Sequence, residues 1–121
     1  MHIHEIGLRI IILEGMFTLD ELELNIDRED FFFEELEIEL RAEIEQSIGA
    51  VDKMHFFREN PKGVIKVRFQ SALHAEECMK VMNGRFFDGR QIKCYFWDGK
   101  TDYRVVRETA DELNRRIDDF G

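Results

Sequence analysis

The feature that most constrains the fold is a long apolar stripe in the first half of the chain. Its members lie three or four residues apart: Phe33, Leu36, Leu40, Ile44 and Ile48. Residues at this spacing share one face of an α-helix, and that face must be buried against another layer. Asp27 is a suitable N-cap and Gly49 a suitable stop. The stripe therefore predicts a long helix packed on a second layer.

Strand patterns precede and follow this helix. Leu8–Leu13 is a mostly β-branched run, long enough for a buried strand and too short for a helix. Val51–Phe57 and Gln91–Trp97 are further strands, and residues 64–69 alternate between an apolar and a partly basic side. Ser71 caps a second helix, whose apolar face is Ala75, Cys78, Met79 and Met82. The order strand, helix, strand, strand, helix, strand predicts an α/β (α+β) ferredoxin-like sandwich.

The chain divides into one main domain and two extensions. We expect an N-terminal extension at residues 1–6, the domain at residues 7–100 and a C-terminal helical extension at residues 101–121. The last segment has an apolar stripe that needs cover, so we expect it to pack on the domain: Val106, Ala110, Leu113, Ile117 and Phe120. Between strand and helix, Met16–Ile26 is an acidic connection that either carries a partner surface or packs beside the core.

Composition excludes several functional classes. The net charge of -9 argues against a general nucleic-acid binder and favours a cationic partner. There is no glycine-rich phosphate loop, no metal-ligand cluster and no nucleophile with a plausible base, so we expect neither an enzyme nor a cofactor or metal. No apolar run has transmembrane length. Cys78 and Cys94 lack metal-ligand spacing, and we expect two buried, reduced thiols.

The loop Asn83–Ile92 places an arginine and two phenylalanines between two glycine turns. One interpretation is a plug that folds a ring over the core. The other is an exposed aromatic and guanidinium platform that holds a partner. The alternation around the loop predicts that Phe86 turns toward the core. Sequence alone leaves both interpretations open.

An acidic stripe runs beside the apolar stripe of the first helix. Glu35, Glu39 and Glu43 lie four residues apart, and like charges at that spacing oppose each other by about 0.2–0.5 kcal/mol per pair. Such a stripe is either a solvated face or a docking surface for a basic peptide.

From about Gly7 to Trp97 the chain resembles the RNA recognition motif family. Lys62–Phe69 resembles its eight-residue RNP signature, and Ile11–Met16 resembles its six-residue signature. RNA-binding members stack bases on aromatic rings of the sheet, whereas the corresponding residues here are aliphatic or basic: Ile12, Val64 and Lys66. We expect Tyr95 and Trp97 on the same sheet face, covered by the C-terminal helix, and RNA binding to be weak or absent.

A subgroup of that family, the U2 auxiliary factor homology motif or UHM, is a better resemblance. Its marks are an Arg-x-Phe loop, here Arg85-Phe86-Phe87, with an acidic first helix and degenerate RNP signatures. The loop and the following Trp97–Tyr103 are most similar to the UHM of the Tat-specific-factor family of splicing factors, over about residues Asn83–Thr109.

The resemblance implies a basic, tryptophan-containing peptide as ligand, in a pocket between the two long helices and the Arg-x-Phe loop. Phe87 would form an aromatic wall and Arg85 would lie against the indole, while basic residues of the ligand would face the acidic stripe. Leu40 and Ile44 would line the floor or belong to the core.

The implied partner is the large subunit of splicing factor 3b in the U2 snRNP, bound by a monomeric nuclear protein. Two other functions stay open at this point. One is a single-stranded RNA-binding module that uses Tyr95 and Trp97 with Lys66, Arg68 and Lys93. The other is a self-associating scaffold that uses the acidic helix or the last helix.

Overall fold

The computed structural model describes residues 9–24 and 26–105. The strands are β1 (Ile10–Glu14), β2 (Val51–Phe57), β3 (Val64–Phe69), β4 (Phe86–Phe87), β5 (Arg90–Gln91) and β6 (Lys93–Phe96). The helices are α1 (Leu19–Leu24), α2 (Glu29–Ser47) and α3 (Ala72–Met82), and a 3-10 turn at Ile26–Arg28 joins α1 to α2.

The main sheet has the strand order β2-β3-β1-β6, and each of its neighbouring pairs is antiparallel. The strands β4 and β5 form a separate hairpin between α3 and β6. This arrangement of sheet and helices confirms the predicted ferredoxin-like α/β sandwich.

The central strand β1 is buried on both faces of the sheet. Ile11 and Leu13 lie in the core beneath the helices, whereas Ile12 lies on the opposite face with Phe57 and Val64. Successive side chains of a strand point to opposite faces, so a run of apolar residues requires cover on both sides. The β-branched run that predicted a buried strand is thus explained.

The long helix α2 buries the predicted stripe. Phe33, Leu36, Leu40 and Ile44 are buried, and Ile48 just beyond the helix is partly buried. The helix begins one residue later than predicted: Arg28 is at the N-cap position without a capping side chain, and Asp27 belongs to the 3-10 turn. Ser71 caps α3 as predicted, because its hydroxyl accepts a hydrogen bond from the Leu73 N–H at 3.2 Å.

The acidic connection after β1 contains a helix that periodicity did not predict. Thr18 and Glu21 form a capping box at the start of α1: the Glu21 N–H donates to the Thr18 hydroxyl, which contacts the Glu21 carboxylate. Before this helix, Met16 and Phe17 are buried in the core. The connection therefore packs beside the core and also extends the surface next to α2.

A segment after β6, residues 97–105, covers the sheet face opposite the helices; we call it the covering segment. Trp97 and Tyr103 pack on the cluster around Ile12, and the Asn60 side chain donates to the Tyr103 carbonyl at 2.9 Å. Hydrogen bonds from Thr101 and the neighbouring backbone N–H groups lower the pKa of the Asp98 carboxyl to about 2 and hold the turn.

The sequence predicted that a helix would cover this face, whereas residues 101–105 form neither helix nor strand. The apolar stripe from Val106 to Phe120 lies outside the described residues, as does the predicted extension at residues 1–6. Trp97 and Tyr103 of the covering segment and Tyr95 of β6 pack against the cluster of Ile12 and Val64, both 0% exposed.

Both cysteines are free and buried, as predicted. Hydrogen bonding to Cys78 and burial raise the pKa of the Cys94 thiol. Within the described residues, no helix is long and apolar enough to cross a membrane.

A close backbone contact at Gly63 gives a test of this packing. A Cβ there would lie 2.1 Å from the Phe17 carbonyl oxygen, at a φ of +64°. We expect Gly63→Ala to lower the free energy of unfolding by about 3 kcal/mol or more, measured by urea denaturation. Gly89 is the matched control, since its φ is +80° and no atom lies within 4 Å of an added Cβ. Gly89→Ala should cost only the backbone strain of about 1–2 kcal/mol, and equal losses would contradict the contact.

Candidate functional site

The hairpin β4–β5 presents its two phenylalanines to opposite sides. Phe87 is paired with Arg90 and packs against the core, whereas Phe86 is paired with Gln91 and is 73% exposed. Successive residues of a strand alternate between faces, so only one of the two rings can turn inward. The prediction that Phe86 turns toward the core is wrong, because Phe87 takes that place.

Beside Phe87 lies a groove of about 390 Å³, which we call the α2 groove. Its apolar lining comes from three parts of the chain: Met16, Phe32, Leu36 and Phe87. Its carboxylates are Glu21, Glu35, Glu39 and Asp88. Thus Phe87, Glu35 and Glu39, three of the residues singled out from the sequence, line one cavity between α1, the first half of α2 and the hairpin.

Two of the groove's carboxylates lack a cationic partner. Glu35 and Glu39 are exposed and form no ion pair with any described residue. Glu21 and Asp88 differ, since the Arg90 guanidinium lies 2.9 Å from Glu21 and 3.8 Å from Asp88. The groove therefore combines an apolar floor with a net negative rim.

Arg90 joins the hairpin to α1 and was not foreseen from the sequence. Its Nε donates to the Gly15 carbonyl at 3.0 Å, and its Nη1 contacts the Glu21 carboxylate. Both charged side chains of this pair are less than one-third exposed. The capping box at Thr18 and the Asp88-Gly89 turn could have indicated α1 and the hairpin, but not that the two meet.

Arg85 lies outside the lining of the groove, on the side of α2 nearer its C-terminus. Its Nη2 is 3.4 Å from the Glu43 carboxylate, and its Nη1 is 3.6 Å from the sulfur of Met82 in α3. Arg85 and Glu43, both predicted to contact a ligand, are thus paired with each other. The side chains of both are about half exposed, so the pair can be reached from solvent.

Leu40 and Ile44 belong to the hydrophobic core, at 3% and 1% exposure. Of the two roles that the sequence left open, the core is the one they have in the structure. The groove lies about one helical turn closer to the N-terminus of α2, where Phe32 and Leu36 line it instead. Leu40 and Ile44 therefore do not line this groove, although the apolar face of the helix was correctly predicted.

This arrangement is suited to binding, and to one kind of ligand in particular. Apolar walls favour a large hydrophobic side chain, and the unpaired carboxylates favour nearby cationic groups. Within the described residues, no three His, Cys, Asp or Glu side chains are grouped so that they could hold a metal ion.

Comparison with known proteins identifies related sequences. The model of the RNA recognition motif matches residues 37–93. Over 109 residues, or 90% of this chain, the sequence is 34% identical to the mouse "17S U2 SnRNP complex component HTATSF1" and 33% identical to the human protein of that name. The chain spans only 14% of the length of these relatives. The similarity confirms the predicted relationship to the Tat-specific-factor family.

Comparison of folds gives the same architecture. The structure of the C. elegans NONO-1 homodimer superposes with a TM-score of 0.52 at 20% sequence identity, covering 77% of this chain and 30% of that chain. At this identity the likeness shows the fold alone.

The core position of Leu40 can be tested against an exposed residue of the same helix. We expect Leu40→Ala to lower the free energy of unfolding by about 2–5 kcal/mol, because it leaves a cavity beneath α2. Ile38 is 63% exposed, so Ile38→Ala should change stability by less than about 0.5 kcal/mol. Chemical denaturation of both variants measures the difference, and comparable stabilities would place Leu40 at the surface.

Proposed function

We propose that this chain, which belongs to the RNA recognition motif family and is related over 90% of its length to a segment of the HTATSF1 proteins, is a protein-binding module of the UHM type. Its ligand is a short basic peptide that contains a tryptophan. The observation that carries the proposal is the α2 groove, in which Phe87, an apolar floor and two unpaired carboxylates meet.

The apolar floor supports an aromatic anchor. A buried tryptophan removes about 150–250 Å² from water, which at roughly 25 cal/mol per Å² is a gross gain of about 4–6 kcal/mol before the costs of association. Phe32 and Phe87 would offer ring faces or edges to the indole, and Leu36 and Met16 also line the groove. The tryptophan would therefore supply most of the affinity.

The carboxylates support the basic residues of the ligand. Glu35 and Glu39 form no ion pair with the residues that the structure describes, and each exposed ion pair contributes only about 0.2–1 kcal/mol. Their main effect would be to orient the peptide, to speed its association and to make binding depend on salt.

The Arg85–Glu43 pair stands at the other end of this acidic surface. The Glu43 carboxylate and the Met82 sulfur hold the guanidinium where the hairpin meets α2 and α3. A guanidinium over an indole is worth about 0.5–2 kcal/mol, depending on desolvation. We propose that Arg85 turns from Glu43 onto the tryptophan ring when the peptide binds, which frees Glu43 for a basic residue of the ligand.

The names of the relatives support a proposal about the partner and the location. HTATSF1 is named as a component of the 17S U2 snRNP complex, so we propose that this chain acts in the nucleus, in pre-mRNA splicing. The large subunit of splicing factor 3b is the proposed source of the peptide, and the domain is proposed to bind it as a monomer.

Single-stranded RNA is a second candidate ligand, because the open part of the sheet is basic: Lys53, Lys66 and Arg68 line a cleft there. However, Phe57 is buried, Tyr103 packs on it, and Lys66 lies 3.4 Å from the centre of the Trp97 ring. Base stacking needs free ring faces, so the covering segment favours the peptide over RNA.

Calorimetric titration tests the proposal. The ligands are a basic peptide with one tryptophan, the same peptide with Trp→Ala, and a mixed-sequence single-stranded RNA. We expect binding that requires the tryptophan, and we expect Phe87→Ala to weaken it by about tenfold or more, equal to 1.4 kcal/mol. Glu35→Gln with Glu39→Gln should weaken it mainly at low salt.

Phe86 provides the matched control, since it is the adjacent phenylalanine and is 73% exposed. Phe86→Ala should leave the affinity within about twofold of the parent, a difference of less than 0.5 kcal/mol. If Phe86→Ala and Phe87→Ala have the same effect, or if the Trp→Ala peptide binds as well as the original, the groove is not the binding site.

A further inference from the structure

A second cavity lies on the sheet face opposite the helices; we call it the sheet-face cleft. Its volume is about 580 Å³, and it is formed by β2, β3 and the covering segment. Six basic side chains line it: Lys53, His55, Lys66, Arg68, Lys100 and Arg104. Five of the chain's 17 lysines and arginines are thus gathered here, in a protein whose net charge is -9. Solubility alone does not explain why so many positively charged side chains gather on one face.

The strand register places like charges directly opposite each other. Lys53 faces Arg68 across β2 and β3, and His55 faces Lys66. Directly opposed like charges destabilise a sheet. Neutral pairs or pairs of opposite charge at the same positions would favour the fold, so the arrangement is a local conflict of the kind that marks functional sites.

Internal acids neutralise only part of this charge. Arg68 is paired with Asp52 at 2.7 Å, and Arg104 is paired with Asp102 at 2.6 Å. Lys53 and Lys100 form no ion pair with any described residue.

The remaining positive charge affects the pKa of a histidine in the cleft. Burial lowers the pKa of the His55 imidazole, and nearby cations on β2, β3 and the covering segment lower it further: Lys53, Lys66 and Arg104. An anionic group in the cleft would relieve this repulsion.

The cleft selects by charge, because its aromatic rings are already occupied. The Trp97 indole N–H donates to the Thr101 carbonyl at 2.9 Å, and the Lys66 ammonium lies over the ring. Phe57 is 8% exposed and contacts the rings of His55 and Tyr103. Base stacking on Trp97 would have to displace the Lys66 ammonium from the ring, whereas a flexible chain of carboxylates needs only the cations.

We propose that the sheet-face cleft is a second binding site, separate from the α2 groove, for an Asp- and Glu-rich segment of a partner protein. Charge complementarity identifies the occupant: three cationic side chains of β2 and β3 and two of the covering segment surround one cavity. The two sites lie on opposite faces of the domain and have opposite charge. One domain can therefore join a basic segment and an acidic segment at the same time.

The test uses a short oligoglutamate peptide, an oligoglutamine peptide of equal length and a mixed-sequence single-stranded RNA of equal charge. Binding is followed by calorimetry and by the fluorescence of Trp97, the only tryptophan in the chain, whose ring borders the cleft. We expect oligoglutamate to bind, to perturb this fluorescence and to weaken by about tenfold or more between low and high salt. Oligoglutamine should not bind.

Two charge-matched variants locate the site. Lys53→Gln with Lys100→Gln removes two cations of the cleft that form no ion pair with a described residue, and we expect about tenfold weaker oligoglutamate binding at low salt. The control is Lys62→Gln with Lys80→Gln, which removes the same charge from residues outside the cleft. It should bind nearly as tightly as the parent.

Further readouts separate the proposal from its alternatives. Thermal unfolding of the Lys53→Gln and Lys100→Gln variant should show no loss of stability, because the change relieves repulsion. Phe87→Ala should leave oligoglutamate binding unchanged, so this site can be tested independently of the α2 groove. The proposal is overturned if oligoglutamate does not bind at low salt, if both double variants bind it equally, or if the RNA binds more tightly than the peptide.

Discussion

Burial of the central strand on both of its faces is the constraint on which the rest of the structure depends. Ile11 and Leu13 are covered by the helices, and Ile12 on the other face needs a second cover. The covering segment supplies it with the rings of Trp97 and Tyr103. Aromatic side chains that could otherwise contact a ligand are therefore used for packing. As a result, the aromatic side chains that remain available to a ligand lie on the helical side of the domain, at the hairpin.

The layer order and the acidic helix could be predicted from the sequence, because both depend on periodicity along a single element. The stripe of α2 and the alternation in β3 are visible in the residue types alone, since each face repeats at the helical or strand period. The Arg-x-Phe loop was identified by resemblance, and its hairpin geometry agrees with the two glycine turns around it. Periodicity and turn signals were sufficient wherever the structure depends on residues that are close together in the sequence.

The composition of the candidate site could not be predicted as well, because it depends on contacts between distant segments. The choice between Phe86 and Phe87 rests on which side of a two-residue strand faces α2. The pairing of Arg90 with Glu21 joins residues 69 positions apart, through a helix too short to give a periodic signal. Ile12 is covered by an irregular segment, which secondary-structure propensity does not predict. In each case tertiary packing decided between options that the sequence left equal.

The uneven distribution of charge has a consequence for how the domain approaches other molecules. Its carboxylates gather along α2 and the hairpin, and its cations gather on the opposite face of the sheet. A body of this kind carries a substantial electric dipole in addition to its net charge of -9. Within about one Debye length, roughly 8 Å at physiological salt, a charged neighbour exerts a torque on it as well as a force. The domain would thus be turned before contact, and the sign of the neighbour would decide which face arrives first.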